Sequence, residues 1–180
     1  MIRPNPAKSN YRLTQSDVDS RTIPFYSDSL VRVIGLFKTI KERAMKIDGS
    51  CHCGYITYEA EIDPEKVGVC HCTDCQSLTG SAFTTSVQAA KEAFSLLSGQ
   101  PKIYVKTAES GAKRAQAFCP ECGSRIYAAA EVNPQSFNLR VGTIAQRKEL
   151  RPKTQSWCRS ALGWVMDLGS VPQNSQGRPR

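Results

Sequence analysis

GSCHCG, at residues 49–54, begins a series of three cysteine clusters that decides how this chain folds. The second cluster is CHCTDC at residues 70–75, and the third is CPECG at residues 119–123. Together they contain all but one of the eight cysteines. Thiolates two or three residues apart can bind the same Zn²⁺, which takes about four such ligands in a tetrahedron. The clustered sulfurs therefore divide into a set of four and a set of three.

The composition is that of a soluble globular protein with a core of its own. The chain has 180 residues, of which 40% are hydrophobic and 22% charged, and this size suits a single domain. We predict no membrane span, because no apolar run approaches the required length of about 18 residues. The sequence also shows no secretory signal, so we expect a cytoplasmic, reducing location, where clustered cysteines hold metal more often than they form disulfides. A disulfide between Cys51 and Cys53 would close a strained ring.

The formal net charge is +8, which bears on the kind of partner. A basic surface attracts nucleic acid, anionic membranes or small acidic molecules. We do not expect nucleic acid as a partner, because the sequence has no Lys/Arg-rich run with interleaved aromatic residues. The charge agrees better with an anionic metabolite.

The pattern of residues divides the chain into three parts. Residues 1–44 read as an extension that is poorly ordered or forms a basic amphipathic helix near its end, with Leu30, Val33, Ile34, Phe37 and Ile40 at helical spacing. Alternatively, Met45 is the natural start and the extension is not part of the native protein. The zinc-binding domain is expected at 45–172, followed by a disordered tail at 173–180.

Short alternating segments after Met45 predict a mainly β domain. The expected strands lie at residues 55–60, 83–87, 102–106, 116–118, 125–129 and 137–141. The only helical pattern in the domain is at residues 88–94, where Ala and Glu favour a helix. Because no long crossover helices separate the strands, we expect an antiparallel sheet rather than a parallel one.

Four of the cysteines are assigned to a closed structural site. In an extended strand, Cys51 and Cys53 project to the same side. Cys119 and Cys122 are brought together by a turn, in which Gly123 can take backbone angles that other residues resist. A metal bound by these four would link distant parts of the chain and add folding free energy. Spacing alone, however, does not make this pairing unique.

The remaining set, Cys70, Cys72 and Cys75, forms a compact group that we call the tripod. Three protein ligands leave one coordination position open, as catalytic zinc requires. Candidates for the fourth position are water, an incoming thiol, or one of the side chains of His71, Asp74 and Cys158. We expect His71 to be turned aside into a supporting hydrogen bond and Cys158 to be a buried small apolar residue.

With these motifs, the chain resembles the glutathione-dependent formaldehyde-activating enzyme family, whose domain also occurs in centromere protein V. The resemblance is carried by the three cysteine clusters and by four further segments: GSAF at 80–83, VGT at 141–143, WCRS at 157–160 and Trp164. It covers about residues 46–172. The chain differs from the family at Gln155, near which the family often has histidine.

The resemblance implies a fold, two metal sites and an activity. The implied fold is an Mss4-like, zinc-stapled antiparallel β fold with few short helices. A structural zinc is implied on Cys51, Cys53, Cys119 and Cys122, and an exchangeable catalytic zinc on Cys70, Cys72 and Cys75, giving two Zn²⁺ per chain. The implied activity is that of a carbon–sulfur lyase, which combines glutathione, or a similar small thiol, with the aldehyde formaldehyde to give S-hydroxymethylglutathione.

Two other functions are compatible with the same residues. The domain could be a non-catalytic zinc-binding module that interacts with protein or nucleic acid, an alternative that rests on analogy with the centromere relative. It could also be a protein that senses thiols by releasing the tripod metal. The sequence does not indicate the oligomeric state.

Overall fold

Ten β-strands in two sheets dominate residues 44–177, the part of the chain that the computed structural model describes. The strands are β1 (Met45–Ser50), β2 (Thr57–Ile62), β3 (Gly68–Cys70), β4 (Thr84–Ala90), β5 (Phe94–Ser98), β6 (Lys102–Thr107), β7 (Lys113–Phe118), β8 (Arg125–Ala130), β9 (Ser136–Arg140) and β10 (Thr154–Ser156). One α-helix in this region, α1 (Thr73–Thr79), follows β3. Short 3₁₀ helices lie at Pro64–Lys66, Lys91–Ala93, Val141–Thr143, Cys158–Ser160 and Gly163–Ser170.

The two sheets differ in size and share one core. The small sheet has the order β1-β2-β5, and the large sheet has the order β10-β3-β4-β9-β8-β7-β6. Every pairing is antiparallel except that of β10 with β3, which is parallel. Ile47 and Tyr58 from the small sheet join Ile126 and Leu139 from the large sheet in one fully buried cluster. The sheets are therefore held together by apolar side chains that alternate along their strands.

The opposite face of the large sheet is polar. On β9, Asn138 and Arg140 lie on either side of the core residue Leu139, and on β7, Gln116 lies between Ala115 and Ala117. Since neighbouring residues of a strand point to opposite faces, these polar side chains share the face that points away from the core. Several other residues on that face are small, namely Thr84, Ser86 and Ala128. They leave room for a cavity above the sheet.

The expected mainly β architecture is confirmed, but the helix predicted at residues 88–94 is wrong. Gln88 to Ala90 continue β4 and pair with β9, and only Lys91–Ala93 form a single 3₁₀ turn before β5. Ala89 is buried in the core, so pairing with β9 outweighs the intrinsic helix propensity of alanine.

Two further features differ from the expectations, and one expectation is not tested. Cys51 and Cys53 lie in a turn after β1, not in an extended strand. The short strands β3 and β10 and the helix α1 had no strong signal of their own in the sequence. The amphipathic segment predicted before Ala44 lies outside the described residues. Among those described, no helix has the length and apolar character needed to cross a membrane.

Candidate metal centres and substrate cavity

The four cysteines assigned to one site lie together in the structure. The sulfur atoms of Cys51, Cys53, Cys119 and Cys122 are all within 4.8 Å of one another. The Sγ atom of Cys53 is 3.5 Å from that of Cys51 and 3.8 Å from that of Cys119. Four thiolates about 2.3 Å from a tetrahedral zinc would be about 3.8 Å apart, whereas a disulfide requires about 2.05 Å. This donor set fits a tetrahedral metal ion.

Two tight turns bring these sulfurs together. In the first, the N–H of Gly54 donates to the carbonyl of Cys51 over 3.2 Å. In the second, the N–H of Gly123 donates to the carbonyl of Cys119 over 2.9 Å. Both glycines have positive φ, +81° and +72° respectively, which side chains with a Cβ resist. Hydrogen bonds from the hydroxyl and backbone N–H of Ser124 lower the pKa of Cys122 to about 5, which favours the metal-binding thiolate.

The tripod also assembles as the spacing predicted. The sulfurs of Cys70, Cys72 and Cys75 lie within 4.8 Å of one another and form a separate cluster. Cys70 ends β3, Cys72 is the N-cap of α1, and Cys75 lies in the first turn of the helix, where its N–H donates to the Cys72 sulfur over 3.4 Å. A hydrogen bond with Cys75, assisted by the backbone N–H of Cys72, lowers the pKa of Cys70 to about 5 despite its partial burial. The same interaction raises the pKa of Cys75.

None of the three side chains considered as a fourth ligand joins the tripod sulfurs within the described residues. Asp74 forms an ion pair with Lys106. Cys158 is exposed, contrary to the expectation that it would be buried. His71 is turned away, as expected: its ring is 1% exposed and its Nε2 atom is 2.8 Å from Oε1 of Gln155. The ring of Phe83 packs edge-on against that of His71, with 5.7 Å between ring centroids.

The segment from β10 to Ser160 is fastened to the tripod, and we call it the strap (residues 154–160). The N–H of His71 donates to the carbonyl of Ser156 over 3.0 Å. The side-chain amide of Gln76, on α1, donates to the carbonyls of His71 and Ser160 over 2.7 and 2.8 Å. These bonds and the parallel pairing of β10 with β3 fix the strap beside the three sulfurs.

Trp157, in the strap, stands at the mouth of the cavity. It has a left-handed backbone, with φ of +58°, which is uncommon for a bulky residue and is often found at functional sites. Its indole is 41% exposed and carries the guanidinium of Arg159 over one face, 4.7 Å from the ring centroid. Arg159 in turn donates to both carboxylate oxygens of Glu109, over 2.8 and 3.0 Å. The ion pair between Arg159 and Glu109 thus connects the strap to the β6–β7 loop at the rim of the cavity.

A cavity of about 780 Å³ lies over the polar face of the large sheet, with the tripod in its wall. Three cationic side chains line it: Lys106, Arg114 and Arg140. Lys106 and Arg114 are directly opposite each other on β6 and β7, a like-charge pairing that is unfavourable by itself. Only Lys106 has a carboxylate partner, Asp74, among the described residues. Arg114 and Arg140 therefore bring positive charge to the cavity that no carboxylate among residues 44–177 pairs with.

Arg140 lies at the floor of the cavity and is largely buried. One of its Nη atoms donates to Oγ1 of Thr84 over 3.3 Å, and the other donates to Oε1 of Gln116 over 3.2 Å. Burial, and then the nearby charge of Arg125, lowers the pKa of Arg140 to about 10. The guanidinium is still protonated at neutral pH, so the floor of the cavity is positive.

The sequence did not identify the cationic and polar residues of this cavity. The available signal was the alternation of Arg114 with Gln116 and of Asn138 with Arg140, which places each pair on one face of a strand. Trp157 is part of the cavity wall. Trp164, by contrast, is 58% exposed and does not line this cavity.

Residues 46–160 match the family model described as glutathione-dependent formaldehyde-activating enzyme. The chain belongs to this family. Membership of this family, together with the two-sheet architecture, confirms the expected Mss4-like β fold. Among solved structures, the chain resembles a crystal structure of a Rhodobacter sphaeroides protein, with a TM-score of 0.48 and 19% identity, over 62% of this chain and 100% of the other. No curated protein gave a match.

Proposed function

We propose that this member of the glutathione-dependent formaldehyde-activating enzyme family joins a small anionic thiol to an aldehyde. The specific reaction is that of glutathione with formaldehyde to give S-hydroxymethylglutathione, which places the enzyme among the carbon–sulfur lyases. The observation that carries the proposal is a cluster of three cysteine sulfurs that has no fourth protein ligand among residues 44–177 and lies in the wall of a cavity lined by Arg114 and Arg140.

The two cysteine clusters would have different roles. Cys51, Cys53, Cys119 and Cys122 would hold a structural Zn²⁺, since four thiolates complete its tetrahedron. The tripod, Cys70, Cys72 and Cys75, would hold a second, exchangeable Zn²⁺. When bound there, zinc would supply an open position that favours the thiolate form of a substrate thiol.

The side chains of the cavity would capture and orient the substrate. Arg114 and Arg140 would attract the carboxylates of glutathione, and Lys106, which Asp74 holds in place, would add to the positive field. Trp157, with its left-handed backbone, would form part of the wall at the mouth of the cavity. A thiolate and an aldehyde held together in this cavity gain from proximity and orientation.

The reaction requires no oxidant or reductant. The thiol loses its proton to solvent, its sulfur forms a bond to the carbonyl carbon, and the π electron pair of the carbonyl moves to oxygen. The oxygen then takes a proton from solvent. The two carboxylates lining the cavity, Asp74 and Glu109, are both held in ion pairs, and neither histidine lines it. This agrees with a reaction that depends on positioning and electrostatics more than on a side-chain base.

The test is the rate of adduct formation from ¹³C-formaldehyde and glutathione, followed by NMR at low concentration with zinc-loaded protein. We expect the wild-type protein to exceed the rate in buffer and Cys72→Ser to lose that excess. Cys158→Ser is the matched control, because Cys158 is exposed and outside both clusters, and it should retain the activity. A wild-type rate equal to that in buffer would refute the proposed reaction.

A further inference from the structure

Gln116 occupies an unusual position at the floor of the cavity. It lies in the middle of β7, lines the cavity, and is only 4% exposed. Its neighbours in register are Tyr104 on β6 and Ala128 on β8. Because Ala128 is small and lies on the same cavity wall, the end of the Gln116 side chain is open to the cavity.

Two guanidinium groups fix the orientation of this amide. Arg140 and Arg125 both donate to Oε1 of Gln116, the first over 3.2 Å. Guanidinium groups can only donate hydrogen bonds, so the atom that they contact must be the amide oxygen and not the nitrogen. Since both arginines carry positive charge at neutral pH, these are charge-assisted hydrogen bonds, and they hold the amide firmly.

The nitrogen of the same amide has no hydrogen-bond partner among the residues that the structure describes. Nε2 of Gln116 forms no hydrogen bond to any residue in 44–177. It is also not one of the fully enclosed polar atoms that lack a partner, so it is accessible from the cavity. A side chain that is nine-tenths buried thus directs an unused N–H donor into the cavity that also contains the tripod.

We propose that Gln116 is a catalytic residue that donates a hydrogen bond to the oxygen of the carbonyl group as sulfur adds to its carbon. Arg125 and Arg140 are positioning residues that act through Gln116. This inference rests on the proposed function and extends it by assigning the group that recognises the aldehyde oxygen.

The chemistry at that oxygen explains why an oriented donor matters. When the C–S bond forms, the π pair of the carbonyl becomes a full negative charge on oxygen, until a solvent proton neutralises it. A donor fixed before the reaction stabilises this charge without having to reorganise. The N–H of Gln116 keeps its proton throughout, so the atom and electron balance is that of the uncatalysed addition.

The variant that isolates this role is Gln116→Glu. A glutamate can still accept from both arginines, so the floor of the cavity should keep its structure, but it presents a carboxylate oxygen to the cavity in place of an N–H group. We expect kcat for adduct formation to fall about 100-fold, the usual effect of losing one such donor. The matched control is Asn138→Asp on the same wall. It adds the same charge, but the Asn138 amide already donates to the carbonyl of Ala128 over 3.4 Å.

A binding measurement without aldehyde or turnover separates this proposal from the proposed function. S-acetylglutathione has a carbonyl oxygen that only accepts hydrogen bonds, and S-ethylglutathione is its counterpart without that oxygen. By calorimetry, wild-type protein should bind the acetyl compound about tenfold more tightly, as expected for one hydrogen bond. Gln116→Glu should remove this preference. Asn138→Asp should lower the affinity for both compounds by the same factor, so the preference should remain.

The outcomes are distinct. The role of Gln116 is overturned if the wild-type protein binds the two compounds equally or binds neither. It is also overturned if the preference for the acetyl compound survives in Gln116→Glu. A wild-type protein that shows the preference but forms no adduct faster than buffer supports the oriented donor and refutes the proposed reaction alone.

Discussion

Cys72 and Cys119 carry the same thiol but stand in surroundings that give them different roles. Cys119 is fully buried at the end of β7, beside three other sulfurs that can complete a tetrahedron. Cys72 is only partly buried, caps α1, and has two sulfur neighbours at the edge of a cavity. A ligand in a closed site contributes to folding, whereas a ligand in an open site contributes chiefly to chemistry.

This difference predicts opposite results for two serine variants. Cys119→Ser should unfold the domain, since a structural zinc contributes about 10–16 kcal/mol, as much as the whole stability of a typical domain. Cys72→Ser should stay folded and lose the adduct-forming activity. Circular dichroism with thermal melting, together with the zinc content of each variant, tests this. If Cys72→Ser also unfolds, both clusters are structural and the domain is better described as an interaction module.

Arg114 provides a second test among single residues, because no carboxylate contacts it within residues 44–177. We expect Arg114→Gln to raise the KM for glutathione about tenfold, which corresponds to about 1.4 kcal/mol of lost attraction. The KM for the neutral thiol 2-mercaptoethanol should not change.

The control for Arg114→Gln is Lys113→Gln. This variant makes the same charge change on the next residue of β7, whose side chain points to the other face of the sheet and contacts Thr107. Equal effects of the two substitutions on glutathione would mean that the long-range charge of the protein, and not a contact in the cavity, attracts the substrate.

Among the elements, the unit that builds the site is β3, α1 and the strap. β3 supplies Cys70, and the N-cap and first turn of α1 supply Cys72 and Cys75. β10 pairs with β3, which places Trp157 in the cavity wall. Gln76 connects α1 to the strap through two hydrogen bonds. The strap thus depends on the helix that carries the tripod.

Replacing Gln76 by alanine should therefore loosen the strap. Two backbone carbonyls would lose their donor, which should cost about 1–3 kcal/mol of unfolding free energy. The KM for the thiol should also rise, because Trp157 is no longer held at the mouth. Urea unfolding and steady-state kinetics measure the two effects. Unchanged stability and KM would show that pairing of β10 with β3 is sufficient to fix the strap.

The elements also show which parts of this structure the sequence could predict. The sulfurs of the tripod lie together as predicted, because their spacing within one short segment is a local property that survives folding. The other four cysteines also lie together, although spacing alone did not make their pairing unique. The strands with strong alternation, such as β6 and β8, were found within a few residues. The helix predicted at residues 88–94 was wrong because Gln88 to Ala90 pair with β9, about 50 positions away.

The cavity residues could not be predicted for a similar reason. Arg114, Gln116, Asn138 and Arg140 are brought together by the order of strands in the large sheet, which depends on long-range pairing. No short segment contains that information. Three-residue strands such as β3 and β10 are likewise too short to show a period.

At the scale of the whole molecule, the two faces of the large sheet have separate functions. One face packs against the small sheet and holds the apolar core, and the other forms the floor of the cavity. Tyr58 is the largest of the fully buried side chains in that core, and its hydroxyl is 2.7 Å from Oγ1 of Thr143. The stability of the molecule is therefore linked to an ionisable group that has no part in the site.

This linkage predicts how stability depends on pH in the alkaline range. Burial raises the pKa of Tyr58 to about 12, above its ordinary value of 10. Between pH 10 and about 12 the native state keeps the Tyr58 proton and the unfolded state loses it. The contribution of this group to the free energy of unfolding is therefore full below pH 10 and is lost as the pH rises towards 12. The loss should amount to about 3 kcal/mol. Urea unfolding between pH 9 and about 12 should show this decline, and Tyr58→Phe should lack it; equal slopes for the two proteins would contradict the assignment.

The central claim is that the tripod has an open position that takes a substrate thiol. The most direct measurement replaces zinc by Co²⁺, which has visible thiolate-to-metal absorption, and titrates the protein with glutathione. The account predicts that this absorption grows and saturates with one thiol bound per chain, and that S-methylglutathione, which has no thiol to ionise, does not increase it. An absorption band that stays unchanged as glutathione is added would contradict the claim.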